Sequence, residues 1–250
     1  MVGLILVGFF WTPYDPGAMD AACRQAAPSL AHLMGTDNFG RDIFSRVLQG
    51  SGTTFYIAVC VVAIGCVCGT VIGALTGYFG GWADAVLMRV CDSITAFPSF
   101  LLALVIIALL GRSTHNIILA LGILFIPSFA RIARSEFARC RRLNYVQSAR
   151  LMGAGPVRIM FRHILPNTLP VLFPTISIGF NNAVLAESSM SYLGLGVQPP
   201  AASLGRMLSE SQNYLGTMPW YVGFVGLAVV LLILGFSLLG EGLQQRRRRV

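Results

Sequence analysis

The chain has 250 residues, of which 55% are hydrophobic and 11% charged, with a mean hydropathy of +0.72. A soluble domain carries about 25% charged residues, so this pool cannot furnish a water-facing surface. The net charge of +8 comes from eighteen basic residues, all arginine, against ten acidic ones, and twelve of the arginines cluster at 131–162 and 246–249. No soluble domain is available to carry a basic groove, so the charge points away from nucleic acid and toward membrane loops that obey the positive-inside rule.

The apolar residues fall into six runs rather than amphipathic stripes, which predicts an all-α, polytopic transmembrane helical bundle. The first run, 1 to about 11, is too short for a hydrocarbon core of about 30 Å. It lacks the basic start and small-residue cleavage site of a signal peptide. It reads as the end of a first transmembrane helix, either stunted and tilted or preceded by further residues. Residues 12–54 read as an external loop, in which Asp37, Arg41, Asp42 and Arg46 alternate in charge. That alternation predicts a solvated helix with internal ion pairs, and docking of an external partner is a possible addition.

The second span covers about 55–76. Gly65, Gly69, Gly73 and Gly77 recur along one of its faces, a small-residue stripe whose default role is close helix packing. The third covers about 86–110, with Arg89 and Asp92 expected to pair on one helix face. The fourth, fifth and sixth cover about 117–133, 169–186 and 220–239. Pro98, Pro127 and Pro174 sit within or at the ends of spans, where neighbouring groups satisfy the freed carbonyls. The eight arginines between the fourth and fifth spans lie two spans from the arginines of the tail, so both belong on the cytoplasmic side. Six spans with both termini cytoplasmic follow. The expected organisation is 1–54 as first helix and external loop, and 55–242 as a core of five spans. Within that core lie a cytoplasmic loop at about 134–168 and an external loop at about 187–219. A basic cytoplasmic tail follows at 243–250.

Six cysteines are scattered. The Cys66–Cys68 spacing is shorter than a usual zinc pair and no histidine stands near it. They read as small buried apolar residues, with no structural disulfide expected. His32, His115 and His163 fall in separate segments, and no metal site is expected of them. Glu187 ends the fifth span near Asn181 and Asn182. An acid in a membrane span is a pathway candidate by default, and these three residues are the candidates for a translocation path. The alternatives are interhelical hydrogen bonds for the asparagines and, for Glu187, an external interface position bonded to Ser188 or Ser189. Residues 194–200 cannot continue a helix and predict an external loop.

The informative stretch is 143–170. Residues 144–152 read as a short helix, with Tyr145, Val146, Ala149 and Met152 at helical spacing. Gly153 can end it, Gly155-Pro156 turns the chain, and Pro156 suits the first position of a second helix. There Val157, Met160, Phe161 and Ile164 form an apolar face, with Arg158 and Arg162 one turn apart. The shape is a helix–glycine–helix elbow, a lever that can be pushed from one side.

The order Gln147-Ser148-Ala149, Gly153, Leu165-Pro166 resembles the "EAA" loop of ABC importer permeases in spacing throughout. Gln147 stands for Glu, Ser148 for Ala, and His163 where Ile is usual. The run from Arg162 to Asn167 resembles the dipeptide, oligopeptide and nickel branch. Further blocks agree in order from Thr12-Pro13-Tyr14-Asp15-Pro16, through Gly77-Tyr78-Phe79-Gly80-Gly81, to Ser191-Tyr192-Leu193-Gly194-Leu195-Gly196. Relatives usually carry a longer first helix.

The resemblance implies a type I ABC importer-like fold in the bacterial plasma (inner) membrane. The expected partners are a second homologous permease subunit, two cytoplasmic ABC ATPases and an extracytoplasmic solute-binding protein. It further implies that Gln147, Ser148, Ala149, Gly153, Ala154 and Gly155 line the ATPase contact, and that the loop at 194–200 helps close an outer gate. The chain contains no phosphate-binding G-x-x-x-x-G-K-[ST] sequence and no lysine, so ATP and Mg belong to the partner ATPases and no cofactor is expected here. The chain is therefore expected to be a transport subunit rather than an enzyme. Cargo is expected to be dipeptides or oligopeptides, with nickel or another metal chelate as the alternative. A secondary transporter without ATPases is the rival class, for which no inverted repeat or mid-membrane acid pair is found.

Overall fold

Inside hydrocarbon every backbone N–H and C=O needs a partner within its own segment, so apolar runs of this length are driven into helices. A computed structural model describes residues 11–248, with side chains through 242. The expected first apolar run therefore lies outside the described residues, apart from Trp11. The helices are α1 (Ile43–Phe79), α2 (Gly81–Ala96), α3 (Ser99–Leu110), α4 (Thr114–Cys140), α5 (Asn144–Leu151), α6 (Pro156–Tyr192), α7 (Leu204–Gln212) and α8 (Pro219–Arg248). Among the described residues, α1, α4, α6 and Pro219–Gly242 of α8 are long and apolar enough to cross a membrane. The pair α2–α3 makes a fifth if its two arms count as one span.

The expected third span is broken into those two arms by a 90° bend. Pro98 has no N–H to give the ladder, and it holds Phe97 in an extended conformation (φ −87°, ψ 143°). The boundary expected at 54/55 falls inside α1, and α8 carries the helix into the arginine tail as far as Arg248.

Two compact units emerge. The first collects the residues through Val59 together with Ile107–Ile118 and Asn181–Leu238. Here the expectation of a solvated helix at 37–46 is overturned: Asp37, Arg41, Asp42 and Arg46 are all buried. Asp37 accepts the backbone N–H groups of Phe39 and Arg41 and pairs with Arg41 Nε at 2.6 Å. Arg46 lies 3.8 Å from the same carboxylate and 3.3 Å from Glu210, which also takes Arg206 at 3.1 Å. Asp42 caps α1 by accepting Ser45 N–H at 2.7 Å, and its other oxygen meets His32 Nδ1 at 2.9 Å. The charges alternate because they answer one another and a distant glutamate, so desolvation is offset by pairing.

The second unit collects Cys60–Ile106, Leu119–Phe180 and the residues from Leu239 on. Its principal seam is α1 against α4. A Cβ on Gly65, Gly69, Gly73 or Gly77 would lie 2.4–2.7 Å from atoms of Phe125, Phe129, Ala130, Ala133 or Arg134. The stripe therefore serves packing, as its spacing suggests, and lets the two backbones approach closely. Asp92 pairs across helices with Arg131 of α4 at 3.1 Å, which corrects the expected Arg89–Asp92 pair. Asp84 likewise takes Arg134, through two guanidinium nitrogens. The six cysteines are free thiols.

Gly73→Leu should cost at least about 1–3 kcal/mol of stability through overpacking against Ala130 and Ala133. Thermal unfolding in detergent, with Gly226→Leu in open space as reference, reads the difference.

Candidate functional site

The elbow is built on an apolar core that draws one side chain after another from four helices. Ala74 and Tyr78 come from α1, Phe137 and Cys140 from α4, Val146 and Ala149 from α5, and Ile159, Met160 and Ile164 from α6, all buried. Leu143 enters α5 with an extended backbone, and the helix ends after one further residue in a glycine turn. Gly153 sits at φ +79°, its N–H donating to Arg150 C=O, while Ala154 N–H reaches back to Ala149 C=O. These two bonds make the left-handed C-terminal turn that glycine adopts without penalty. Nothing lies within 4 Å of a Cβ built on Gly153, so its constraint within this chain is the backbone angle rather than crowding.

Pro156 occupies the first turn of α6, as its missing N–H suits. The next stretch, Ile159–Ile164, is a π-helix, closed by Leu165 N–H donating to Met160 C=O. Its wider turn places Ile159 and Ile164, five residues apart, on the core side together with Met160. That is why the α-helical phase expected for this segment fails. Val157 and Phe161, assigned to the apolar face, are 67% and 51% exposed.

The six residues expected at an ATPase contact divide between two faces. Ala149 is buried in the elbow core and Ala154 is half-buried, whereas Gln147, Ser148, Gly153 and Gly155 are exposed. Gln147 donates from Nε2 to Arg142 C=O at 3.2 Å. The exposed face also carries Leu151 and Met152, 90% and 80% exposed, which the sequence reading did not single out as contact residues. Leu151 is out of phase with Val146 and Ala149, a signal that was available; Met152 shares their spacing yet lies outside, because the helix ends at it and Gly153 turns the chain away. Arg150 binds the elbow to α1, its guanidinium 3.3 Å from Tyr78 Oη and 5.8 Å from the centre of that ring. Partial burial, reinforced by the Cys140 thiol, raises the Tyr145 phenol above its ordinary pKa, so it stays protonated at neutral pH.

The three pathway candidates all fall on α6. Asn182 is exposed, and Asn181 presents a buried Oδ1 with no hydrogen-bond partner. Glu187 is fully buried and serves as the hub of a hydroxyl network. Ser191 donates to it at 2.6 Å and Ser188 at 3.5 Å, and the hydroxyls of Thr54 and Ser203 are also within reach. Those hydroxyls in turn accept backbone N–H groups: Ser191 from Val197, Thr54 from Leu204, Ser203 from Arg206. A single carboxylate thereby ties the non-helical stretch after α6, and the start of α7, to α1. Residues 193–200 are indeed non-helical. Among the described residues no group of three His, Cys, Asp or Glu side chains is placed to hold a metal ion.

Among the described residues the long elements are all helices, and a glycine-hinged elbow sits on a closed apolar core. The fold is similar to that of a chain of the inward-facing MetNI methionine ABC transporter, with a TM-score of 0.65 at 18% identity, covering 80% of this chain and 95% of that one. It is also similar to an amino acid ABC transporter solved with histidines, at a TM-score of 0.62. The chain belongs to the family of binding-protein-dependent transport system inner membrane components, whose model matches residues 69–249. It is 39% identical to the glutathione transport system permease protein GsiD of Pectobacterium atrosepticum, over 96% of this chain and 82% of that protein. It is 38% identical to the dipeptide transport system permease protein DppC of Alkalihalophilus pseudofirmus, over 88% of this chain and 73% of that protein.

Glu187→Ala would strand the hydroxyls gathered on the carboxylate and should cost about 1–3 kcal/mol. The loss is read as a lower midpoint of thermal unfolding in detergent, with the smaller change expected for Glu187→Gln.

Proposed function

We propose that this chain forms half of the translocation pathway of an ATP-driven importer and receives the ATPase stroke through the elbow formed by α5, Gly153 and the start of α6. The observation that carries this reading is the division of the elbow into two faces. Val146 and Ala149 seat it on α1 and α4, while Gln147, Ser148, Leu151, Met152, Gly153 and Gly155 are left outward. A push on the outward face then moves two membrane-length helices through a packed core rather than through a loose loop. In this reading two cytoplasmic ABC ATPases supply ATP hydrolysis with their own Mg, and the chain itself catalyses nothing. A second related permease completes the path, and an extracytoplasmic solute-binding protein delivers cargo.

The same reading gives six spans, with both termini and the elbow in the cytoplasm, because the arginines at 131–162 and 246–249 then lie on the inner side. The cargo is a dipeptide or short oligopeptide, a class that the names of the glutathione and dipeptide relatives support. Import of nickel or a metal chelate is the second reading. Asn181, Asn182 and Glu187 are assigned to the pathway or its outer closure, with Asn182 the one exposed in this conformation.

Two experiments test the proposal. Co-expressed with its neighbouring ATPase and permease genes, the chain should co-purify with the ATPases, and Gly153→Arg should abolish that association while the tail-truncated control keeps it. Failure of the folded wild-type chain to bind any ATPase would sink the importer mechanism and favour a self-sufficient transporter. In a cysteine-free background on intact cells, a membrane-impermeant thiol reagent should label a cysteine at exposed Ala201 and spare one at exposed Arg158. The reverse pattern would overturn the orientation.

A further inference from the structure

Beside the elbow, the end of α1, the start of α2, the end of α4 and the helix α5 enclose an open-mouthed cavity of about 480 Å³. Its lining includes Arg134, Arg141, Arg142 and Arg150 with Gln147, against a single carboxylate, Asp84. That carboxylate is already committed, since Arg134 grips both of its oxygens. Arg150 is turned to the neutral Tyr78 hydroxyl, and Arg141 reaches only the Phe79 carbonyl, at 3.4 Å. Among the described residues, therefore, Arg141, Arg142 and Arg150 have no carboxylate partner, and the cavity keeps three positive charges uncompensated.

Three like charges around one concavity repel each other, and holding them together is favourable only when an anion or water shares the space. Guanidinium groups present planar donor pairs that match phosphate oxygens. The position of the cavity selects among phosphates. It opens at the C-terminal ends of α1 and α4, both long and apolar enough to cross a membrane, next to Phe79 and Trp82, which are 51% and 81% exposed. An exposed indole at the end of an apolar span marks the headgroup level of a bilayer.

We infer that this cavity binds a phosphate group, presented by the headgroup of an anionic phospholipid. Arg141, Arg142 and Arg150 are its ligands, and Arg134, held by Asp84, forms the wall. Basic pockets between helices at the membrane surface take acidic headgroups in this way. The occupant links the α1–α2 turn, the end of α4 and α5 through one anion.

The test uses the full chain, with whatever subunits accompany it, in vesicles of phosphatidylcholine containing brominated phosphatidylglycerol or brominated phosphatidylcholine. Trp82 lies between the lining residues Gly80 and Asp84, and its emission is taken as the part lost in Trp82→Phe. Brominated phosphatidylglycerol should quench it more strongly than brominated phosphatidylcholine in the wild type. Arg141→Gln/Arg142→Gln should lower that preference about twenty-five-fold, each basic residue contributing about a factor of five. Arg141→Lys/Arg142→Lys should retain most of it. Millimolar inorganic phosphate should leave the quenching unchanged, and competition by phosphate would move the assignment from a lipid to a soluble phosphate ligand. Equal quenching by the two lipids in the wild type, which needs no variant to fold, would overturn the proposal, as would a preference indifferent to loss of both charges.

Discussion

Close approach of two backbones is the constraint on which the rest of this molecule depends. Lipid offers no hydrophobic drive to bring one apolar helix against another, so contact has to come from shape. Gly65, Gly69, Gly73 and Gly77 remove every side chain from one face of α1, and α4 fills the space with Phe125, Phe129, Ala130 and Ala133. The seam continues into the elbow core, where Tyr78 and Phe137 are the next side chains on the two helices. α5 and the π-helical start of α6 then have a fixed platform to sit on. Without the seam, the elbow would be a tethered peptide rather than a part of the bundle.

Polar groups are handled differently in the two units. In the first, key acids are enclosed by donors: buried Asp37 and half-buried Glu210 by three arginines, buried Glu187 by hydroxyls that pass their own bonds to backbone N–H groups. A buried carboxylate of this kind fixes irregular chain, because each donor it holds comes from a different segment. In the second, the core around the elbow is apolar and the charges stand outside it, arginine outnumbering acid. The first arrangement gives a definite geometry to loops. The second leaves charge available to something that is not part of the chain.

What could be read from the sequence was local, and what could not was distant. The elbow was legible because its signals are adjacent: Gly153 needs a left-handed angle, Pro156 needs a helix start, and both meet those needs within a few residues. The glycine stripe was legible because its spacing alone defines a face. Asp37, Arg41, Asp42 and Arg46 were misread as solvated because Glu210, which accounts for the burial of Arg46, lies 164 residues away. Asp92 was given to its neighbour Arg89 for the same reason, when its partner is 39 residues off on another helix. The faces of α5 and α6 were half legible. Ala149 was placed in the contact surface by family pattern, although its phase with Val146 puts it in the core. The π turn at Ile159–Ile164, which has no simple sequence mark, puts Ile159 in the core with Met160 and Ile164 and leaves Phe161 outward.

The outward tip of the elbow is neutral from Leu151 to Val157, while the bowl beside it is rich in guanidinium groups. Mobile ions act on these two neighbours in unlike ways. At physiological ionic strength the field of an exposed charge fades over about 8 Å, and added salt shortens that reach further. A contact made on Leu151 and Met152 would depend on shape and on release of water from carbon, which salt does not screen. Raising ionic strength would thus weaken anion binding in the bowl without screening apolar contact at the tip. Two adjoining surfaces, fixed to the same helices, can in this way be released one without the other.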